Sequence, residues 1–200
     1  MSTTRGAADG RPFRVLCVCE GNICRSPVAE VLLRHGLGAE VQISSAGTRA
    51  VVGAPVAPPM QALLAARRVD SGGFAARQLL PAHLQQADVV LTMTARQRAE
   101  VAALVPATVR RVFTLRELAR LLEAAGSGAL PDGDVATRFA AALPVAATQR
   151  GYRPDPREDD VPDPYGRSRR TYERAFGMVA DAVDRVAAVL APGGARGQGG

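Results

Sequence analysis

Hydrophobic residues recur along this chain in two rhythms that take turns. Phe13 to Val18, Val41 to Ala46, Asp88 to Met93 and Arg110 to Thr114 are short runs dense in β-branched and aliphatic side chains, and they read as strands. Pro27 to Gly36, Pro58 to Arg68 and Ala95 to Leu104 space their apolar residues at helical intervals. A closing helix of about Ser168 to Leu190 places Tyr172, Phe176, Val179, Val183, Val186 and Leu190 on one face. Strands alternating with helices call for a parallel sheet with right-handed crossovers. The expectation is an α/β fold in a single domain, with a four-stranded parallel sheet flanked by helices on both faces and the closing helix docked over it. At 200 residues and 47% apolar content the chain can bury one good core.

The first strand runs into Cys19-Glu20-Gly21-Asn22-Ile23-Cys24-Arg25-Ser26-Pro27 and then a helix. A loop of successive backbone N–H groups at a helix N-terminus is a cradle for a phosphoryl group. Gly21 and Asn22 tolerate the positive φ that such a concave loop demands. Pro27 suits the first helical position and Ser26 the N-cap. Cys19 at the strand end and Arg25 at the far end of the loop converge on one tetrahedral ligand, with the planar guanidinium taking two oxygens at once. Oriented amides and a nearby cation favour the thiolate, so Cys19 is the expected nucleophile. A phosphate-binding loop after the first strand, formed by Glu20, Gly21, Asn22, Ile23, Cys24, Arg25 and Ser26, is therefore the candidate site. A bare Cys-x5-Arg pair carries little, because the chain has no lysine and all 25 of its basic residues are arginine. The strand, the Gly-Asn pair and the helix start carry the weight.

The stretch Val15 to Pro27 resembles the phosphate loop of the low-molecular-weight protein tyrosine phosphatases, in their bacterial form. Ser44-Ser45-Ala46-Gly47-Thr48 is similar to their second strand and following loop, Ala87 to Met93 to their third strand, and Val161-Pro162-Asp163-Pro164-Tyr165-Gly166 to their general-acid loop. The four blocks stand in the family order. The resemblance implies that Cys19 attacks phosphotyrosine phosphorus and becomes phosphocysteine, that Arg25 and the loop amides hold the oxygens, and that Asp163 protonates the leaving phenolate and then activates water. It makes Asn22, Ser26 and Ser45 a polar scaffold and Tyr165 a wall of the cleft. It implies no cofactor, and a phosphotyrosine protein as partner, a bacterial tyrosine kinase governing surface polysaccharide being one candidate.

The chain also departs from that pattern. Phe74 stands where many members carry a histidine before Ala-Arg-Gln, so that part of the supporting network must be built otherwise. Val51 or a neighbour stands where eukaryotic members place a large aromatic wall, and Glu20 beside the nucleophile adds a negative charge that would repel some acidic peptides. Among other acids in the same stretch, Asp155, Asp159 and Asp160, Asp163 alone is followed by Pro-Tyr-Gly. Cys17 reads as core packing; Cys24 either fills space beneath the loop or pairs reversibly with Cys19. His35 and His83 read as surface residues and no metal site is expected.

Composition bounds the rest. The net charge of +6 is scattered and aromatic residues make up only 4%, which argues against nucleic acid. No apolar run approaches a membrane span and the polar N-terminal segment has no signal-peptide core, so a cytoplasmic protein is expected. Residues 1–12 are expected to be flexible, 13–191 to form the domain and 192–200 to be disordered. Within the domain, about 124–160 reads as a partly mobile insertion beside the cleft, with a helix from Val135 to Leu143. Two alternatives stand beside the phosphatase reading: an arsenate reductase on the same fold that borrows an external thiol, since no relay cysteine follows Cys24, and a noncatalytic phosphate-binding module.

Overall fold

In the computed structural model, which describes residues 11–150 and 156–192, four strands form one parallel sheet in the order β2-β1-β3-β4. They are β1 Phe13–Cys19, β2 Val41–Gly47, β3 Val89–Thr92 and β4 Val112–Thr114. The helices are α1 Arg25–Leu37, α2 Pro58–Ala66, α3 Pro81–Gln86, α4 Ala95–Leu104, α5 Leu115–Ala125, α6 Val135–Thr148 and α7 Arg169–Leu190. The expected single-domain α/β architecture is the one observed.

Alternation along β1 decides how the layers form. Val15, Cys17 and Cys19 face one side and pack with α1, α5, α6 and α7; Leu16 and Val18 face the other, with Leu84 of α3, Val101 of α4 and Val90 and Val112 of the neighbouring strands. From Val15 on, both faces of β1 are buried, so its sequence is continuously apolar from Val15 to Cys19. α7 lays the predicted face on the core, with Tyr172, Phe176, Val179, Val183, Val186 and Leu190 all buried, and Ser168 caps its first turn.

Several expectations need correction. Arg110 and Arg111 belong to a 3-10 turn, Pro106–Arg111, because Pro106 opens a tight turn that the strand follows. The chain between β4 and Ala124, read as no element, is the helix α5. Within the 124–160 segment, α6 lies in the core, where Phe139 is fully buried and stacks on Phe13 with ring centroids 4.9 Å apart, while Arg157 and Asp160 border the cleft that holds Arg25 and Asp163. Phe13 is at the end of β1 remote from Cys19. Arg138 of α6 is also buried, and its guanidinium donates to the carbonyls of Ser127, Pro131, Val189 and Leu190. It thus ties the segment to the last turn of α7, where the orphan carbonyls attract a cation. The expected flexibility of 1–12 falls mostly, and that of the tail almost wholly, outside the described residues.

The strand order puts β1 between a partner that follows it immediately and one that comes after a crossover. The crevice at its carboxyl end is where such sheets hold ligands. Cys19 is the last residue of that strand.

Candidate active site

From Cys19 the chain bends through five residues before α1 begins at Arg25, and backbone bonding fixes the bend. The carbonyls of Cys19, Glu20, Gly21 and Ile23 accept from the N–H groups of Thr48, Arg49, Val51 and Ala57, at 3.0, 2.9, 3.0 and 2.7 Å. With its carbonyls turned outward to the segment after β2, the loop presents its amides to the other side. The N–H groups of Glu20 to Cys24 donate to no group among the described residues. Gly47 permits this contact, since a Cβ there would lie 2.4 Å from the Glu20 carbonyl oxygen. Asn22 takes the left-handed conformation, at φ 54°; Gly21, expected to share it, does not.

Ser26 is not the N-cap. The helix starts two residues earlier, with Cys24 at the cap and no side-chain bond there, because the Ser26 hydroxyl is engaged elsewhere. Its Oγ accepts from Asn22 Nδ2 at 2.9 Å and lies 2.9 Å from Cys19 Sγ. As the oxygen already accepts from Asn22, its own proton is free to point at the sulfur. The orientation propagates inward: Asn22 Nδ2 also donates to Ser45 Oγ at 2.8 Å, Ser45 donates to Glu30 Oε2 at 2.6 Å, and the Arg77 N–H donates to Asn22 Oδ1 at 2.9 Å. Asn22, Ser26 and Ser45 are all buried, so a broken link would strand a polar group in a dry site.

This network shows what stands in for the histidine that the family pattern would put at Phe74. Phe74 packs partly buried against the core. The buried Glu30 carboxylate instead pairs with Arg34 one turn along α1, while Arg77 Nε donates to the Ser45 carbonyl at 2.7 Å. Sequence reading gave no role to Glu30, Arg34 or Arg77. The Glu-x-x-x-Arg spacing was visible, but only the fold shows that it meets Ser45.

Arg25 joins the loop to the other half of the site. Its guanidinium is buried, donates to the Val161 carbonyl at 3.2 Å and pairs with the Asp163 carboxylate, while its Nε has no partner. An unmatched N–H on a buried guanidinium beside free amides suits a bidentate anion. The Asp163 segment reaches this position through a backbone bond from Val161 N–H to the Met93 carbonyl, 2.8 Å, and one from Ala95 N–H to Asp160 Oδ1, 2.6 Å. The Tyr165 N–H donates to Asp163 Oδ1 at 3.2 Å, and the Tyr165 side chain is exposed at the rim. Ile23, buried, and Val51, exposed, flank Gly21.

The charge expected of Glu20 is largely cancelled. Its carboxylate meets Arg49 at 2.7 Å and Arg96 at 3.1 Å, and the bond from Arg49, aided by Arg96, holds it below the usual glutamate range. All three cysteines are free thiols. Burial pushes the Cys17 thiol well up, in keeping with core packing, and burial followed by the charges of Cys19 and Asp163 pushes Cys24 up to about 12. His35 is exposed; His83 accepts at Nδ1 from the Leu80 N–H at 3.2 Å, capping α3, and is thus not partnerless. Among the described residues no group of three His, Cys, Asp or Glu side chains is placed to hold a metal, and no helix is long and apolar enough to cross a membrane.

The chain is similar to known proteins. The family model of low molecular weight phosphotyrosine protein phosphatase matches residues 14–132, which takes in the phosphate loop and stops short of Asp163. A probable low molecular weight protein-tyrosine-phosphatase, EpsP of Ralstonia nicotianae, is 38% identical over 104 residues, covering 52% of this chain and 71% of that protein. A protein-arginine-phosphatase of Geobacillus stearothermophilus is 30% identical over 139 residues, 70% of this chain and 87% of its own. Among solved structures, the YwlE arginine phosphatase of Geobacillus stearothermophilus superposes with TM-score 0.65 at 26% identity, over 88% of this chain and 92% of that one. The Erwinia amylovora tyrosine phosphatase AmsI gives 0.66 at 22%, over 92% and 97%, a likeness of fold. A family match over more than half the chain, on the loop whose geometry is that of a phosphate cradle, places this protein in the low molecular weight phosphotyrosine protein phosphatase family.

Proposed function

We propose that the protein hydrolyses phosphotyrosine in proteins through a phosphocysteine on Cys19. The observation that carries this reading is Arg25, whose buried guanidinium touches the carboxylate of Asp163 and belongs to the same loop as Cys19. Nucleophile, anion receptor and acid thus share one point.

The substrate dianion takes over the loop amides and Arg25, displacing the Asp163 carboxylate from the guanidinium. Released from Arg25, the Asp163 carboxylate takes up a proton from solvent; the Cys19 thiolate then attacks phosphorus in line, the P–O bond to the tyrosine breaks, and the leaving oxygen takes that proton from Asp163. Water then attacks phosphorus, gives its proton to Asp163, and the S–P bond breaks to release phosphate. Asn22, Ser26 and Ser45 hold the thiolate and the loop; Glu20, Gly21, Ile23 and Cys24 contribute backbone N–H groups. General acid catalysis of this kind is worth about 10² to 10⁴ in rate.

A phosphoarginine substrate is the second reading, favoured by the Geobacillus stearothermophilus relative. The rims favour the aromatic one. Val51 and the ring of Tyr165 are exposed apolar surfaces suited to the faces of a phenyl group. A bacterial tyrosine kinase remains the proposed partner and the cytoplasm the proposed compartment. Hydrolysis of para-nitrophenyl phosphate, a phosphotyrosine peptide and a phosphoarginine peptide by wild type, Cys19→Ser and Asp163→Asn tests the reading, with arsenate consumption in parallel. Turnover of the tyrosine peptide, lost in the serine variant, is expected; preference for the arginine peptide, or arsenate reduction instead, overturns it.

A further inference from the structure

On the far side of α4 from Cys19 a second cleft, of about 410 Å³, opens between α4, β4, α5 and the turn that precedes Asp163. Its walls differ from those of the catalytic cleft. Ala99, Ala102 and Val109 give it an apolar flank, and Val109 is exposed. Facing them stand Arg98, Arg120 and Arg150, each about a third exposed, around two buried carboxylates, Glu117 and Asp159.

Among the described residues the lining charges do not balance: three guanidinium groups face two carboxylates. Arg98 and Arg150 both bind Glu117, at 2.7 and 2.9 Å, and Arg150 also lies over the Phe113 ring at 4.2 Å. Arg120 meets Asp159 at 3.1 Å, and its Nε is buried without a hydrogen-bond partner. A cleft with one apolar wall, one surplus cation and an unmatched donor fits a small organic anion, its body on the alanines and its acid on the arginines.

Asp159 also links this cleft to the catalytic one. Asp160 receives the Ala95 N–H, Val161 binds the Met93 carbonyl, and the Val161 carbonyl receives Arg25. We propose that this cleft is an effector site for a small amphiphilic organic anion, which competes with Asp159 for Arg120 and so loosens the segment that presents Asp163. The linkage is reciprocal, so phosphate at Arg25, which displaces Asp163 from the guanidinium, strengthens the effector.

The probe is anilinonaphthalene sulfonate, followed by its fluorescence, with the uncharged phenylnaphthylamine beside it. Three proteins are compared: wild type, Arg120→Gln, which removes the cation, and Ala102→Trp, which fills the apolar wall, with circular dichroism to show that each is folded. Wild type is expected to bind the sulfonate, and to bind the uncharged dye about tenfold or more weakly; each variant is expected to lose about tenfold or more in sulfonate affinity, as for a lost charge-assisted contact. No binding by wild type, equal binding of the two dyes, or an unchanged affinity in either folded variant overturns the site. The effector role rests on the phosphatase reading and has its own readout: saturating sulfonate should lower phenyl phosphate turnover about fivefold or more in wild type and leave Ala102→Trp unaffected. Binding without that loss, in an active enzyme, overturns the coupling alone.

Discussion

The two halves of the catalytic cleft are held by different means. On one side the phosphate loop is anchored by backbone: four of its carbonyls are taken by the segment 48–57, and its buried side chains bond in a closed relay from Glu30 to Cys19. On the other side the segment from Asp159 to Tyr165 hangs on one backbone bond and several side chains, and Asp163 is 43% exposed where its partner Arg25 is 3%. The contrast matches the tasks that the proposed mechanism gives the two halves. A cradle for a transition-state anion works best if it does not reorganise, because its dipoles must already point at the developing charge. An acid that must leave a guanidinium, meet a leaving group and later meet a water has to move. The resting contact between Asp163 and Arg25 therefore gives way to substrate, and the phosphate loop does not.

Breaking the rigid half should cost most. Cys19→Ser is expected to abolish turnover of para-nitrophenyl phosphate while leaving phosphate binding, measured by calorimetry, because the amides and Arg25 remain. Asp163→Asn comes next, with kcat reduced by about 10² to 10⁴. The same variant should bind inorganic phosphate more tightly than wild type, since the anion no longer displaces a carboxylate from Arg25. Weaker phosphate binding in Asp163→Asn would contradict the contrast.

Away from the cleft the effects pass from activity to stability. Phe139→Ala removes a fully buried ring at the remote end of β1 and is expected to cost about 3–5 kcal/mol in denaturant unfolding, with turnover per folded molecule unchanged. The smallest effect concerns Glu117. Burial alone would raise its carboxyl, but the bonds and charges of Arg150 and Arg98 outweigh that and hold it below the usual glutamate range. A carboxyl lowered in the folded state stabilises the protein at neutral pH, and that stability is lost as the pH falls below the ordinary glutamate value of about 4.3 through the lowered one. Glu117→Gln should therefore flatten the decline of unfolding free energy in that acid window; an unaltered slope would remove the claim.

How much of this was legible in the sequence follows the same division. Backbone-built features write themselves in residue types: an apolar β1, Asn22 at positive φ and a small residue at Gly47 all follow from steric needs of the main chain. The role expected of Ser26 failed because a hydroxyl serves one geometry at a time, and here Asn22 and Cys19 claim it before the cap does. α5 went unread although Thr114 and Glu117 form a capping box ahead of Leu115, Leu118, Leu121 and Leu122; that signal was present and local. Arg138 was not legible at all, since its carbonyl partners on α7 lie about fifty residues away in sequence and nothing local marks a buried arginine. The same holds for Glu30 and Arg34: an i, i+4 spacing fits a surface pair equally well, and only the bond from Ser45 to Glu30 makes it part of the site.

The most direct test is to locate the phosphoryl group during turnover. Wild-type protein mixed with a phosphorus-labelled phosphotyrosine peptide, denatured within milliseconds and digested, should carry the label on the peptide that contains Cys19, as a cysteine thiophosphate ester. Label on Ser26 or on Cys24, or steady release of phosphate with no labelled cysteine at any time, would contradict the account.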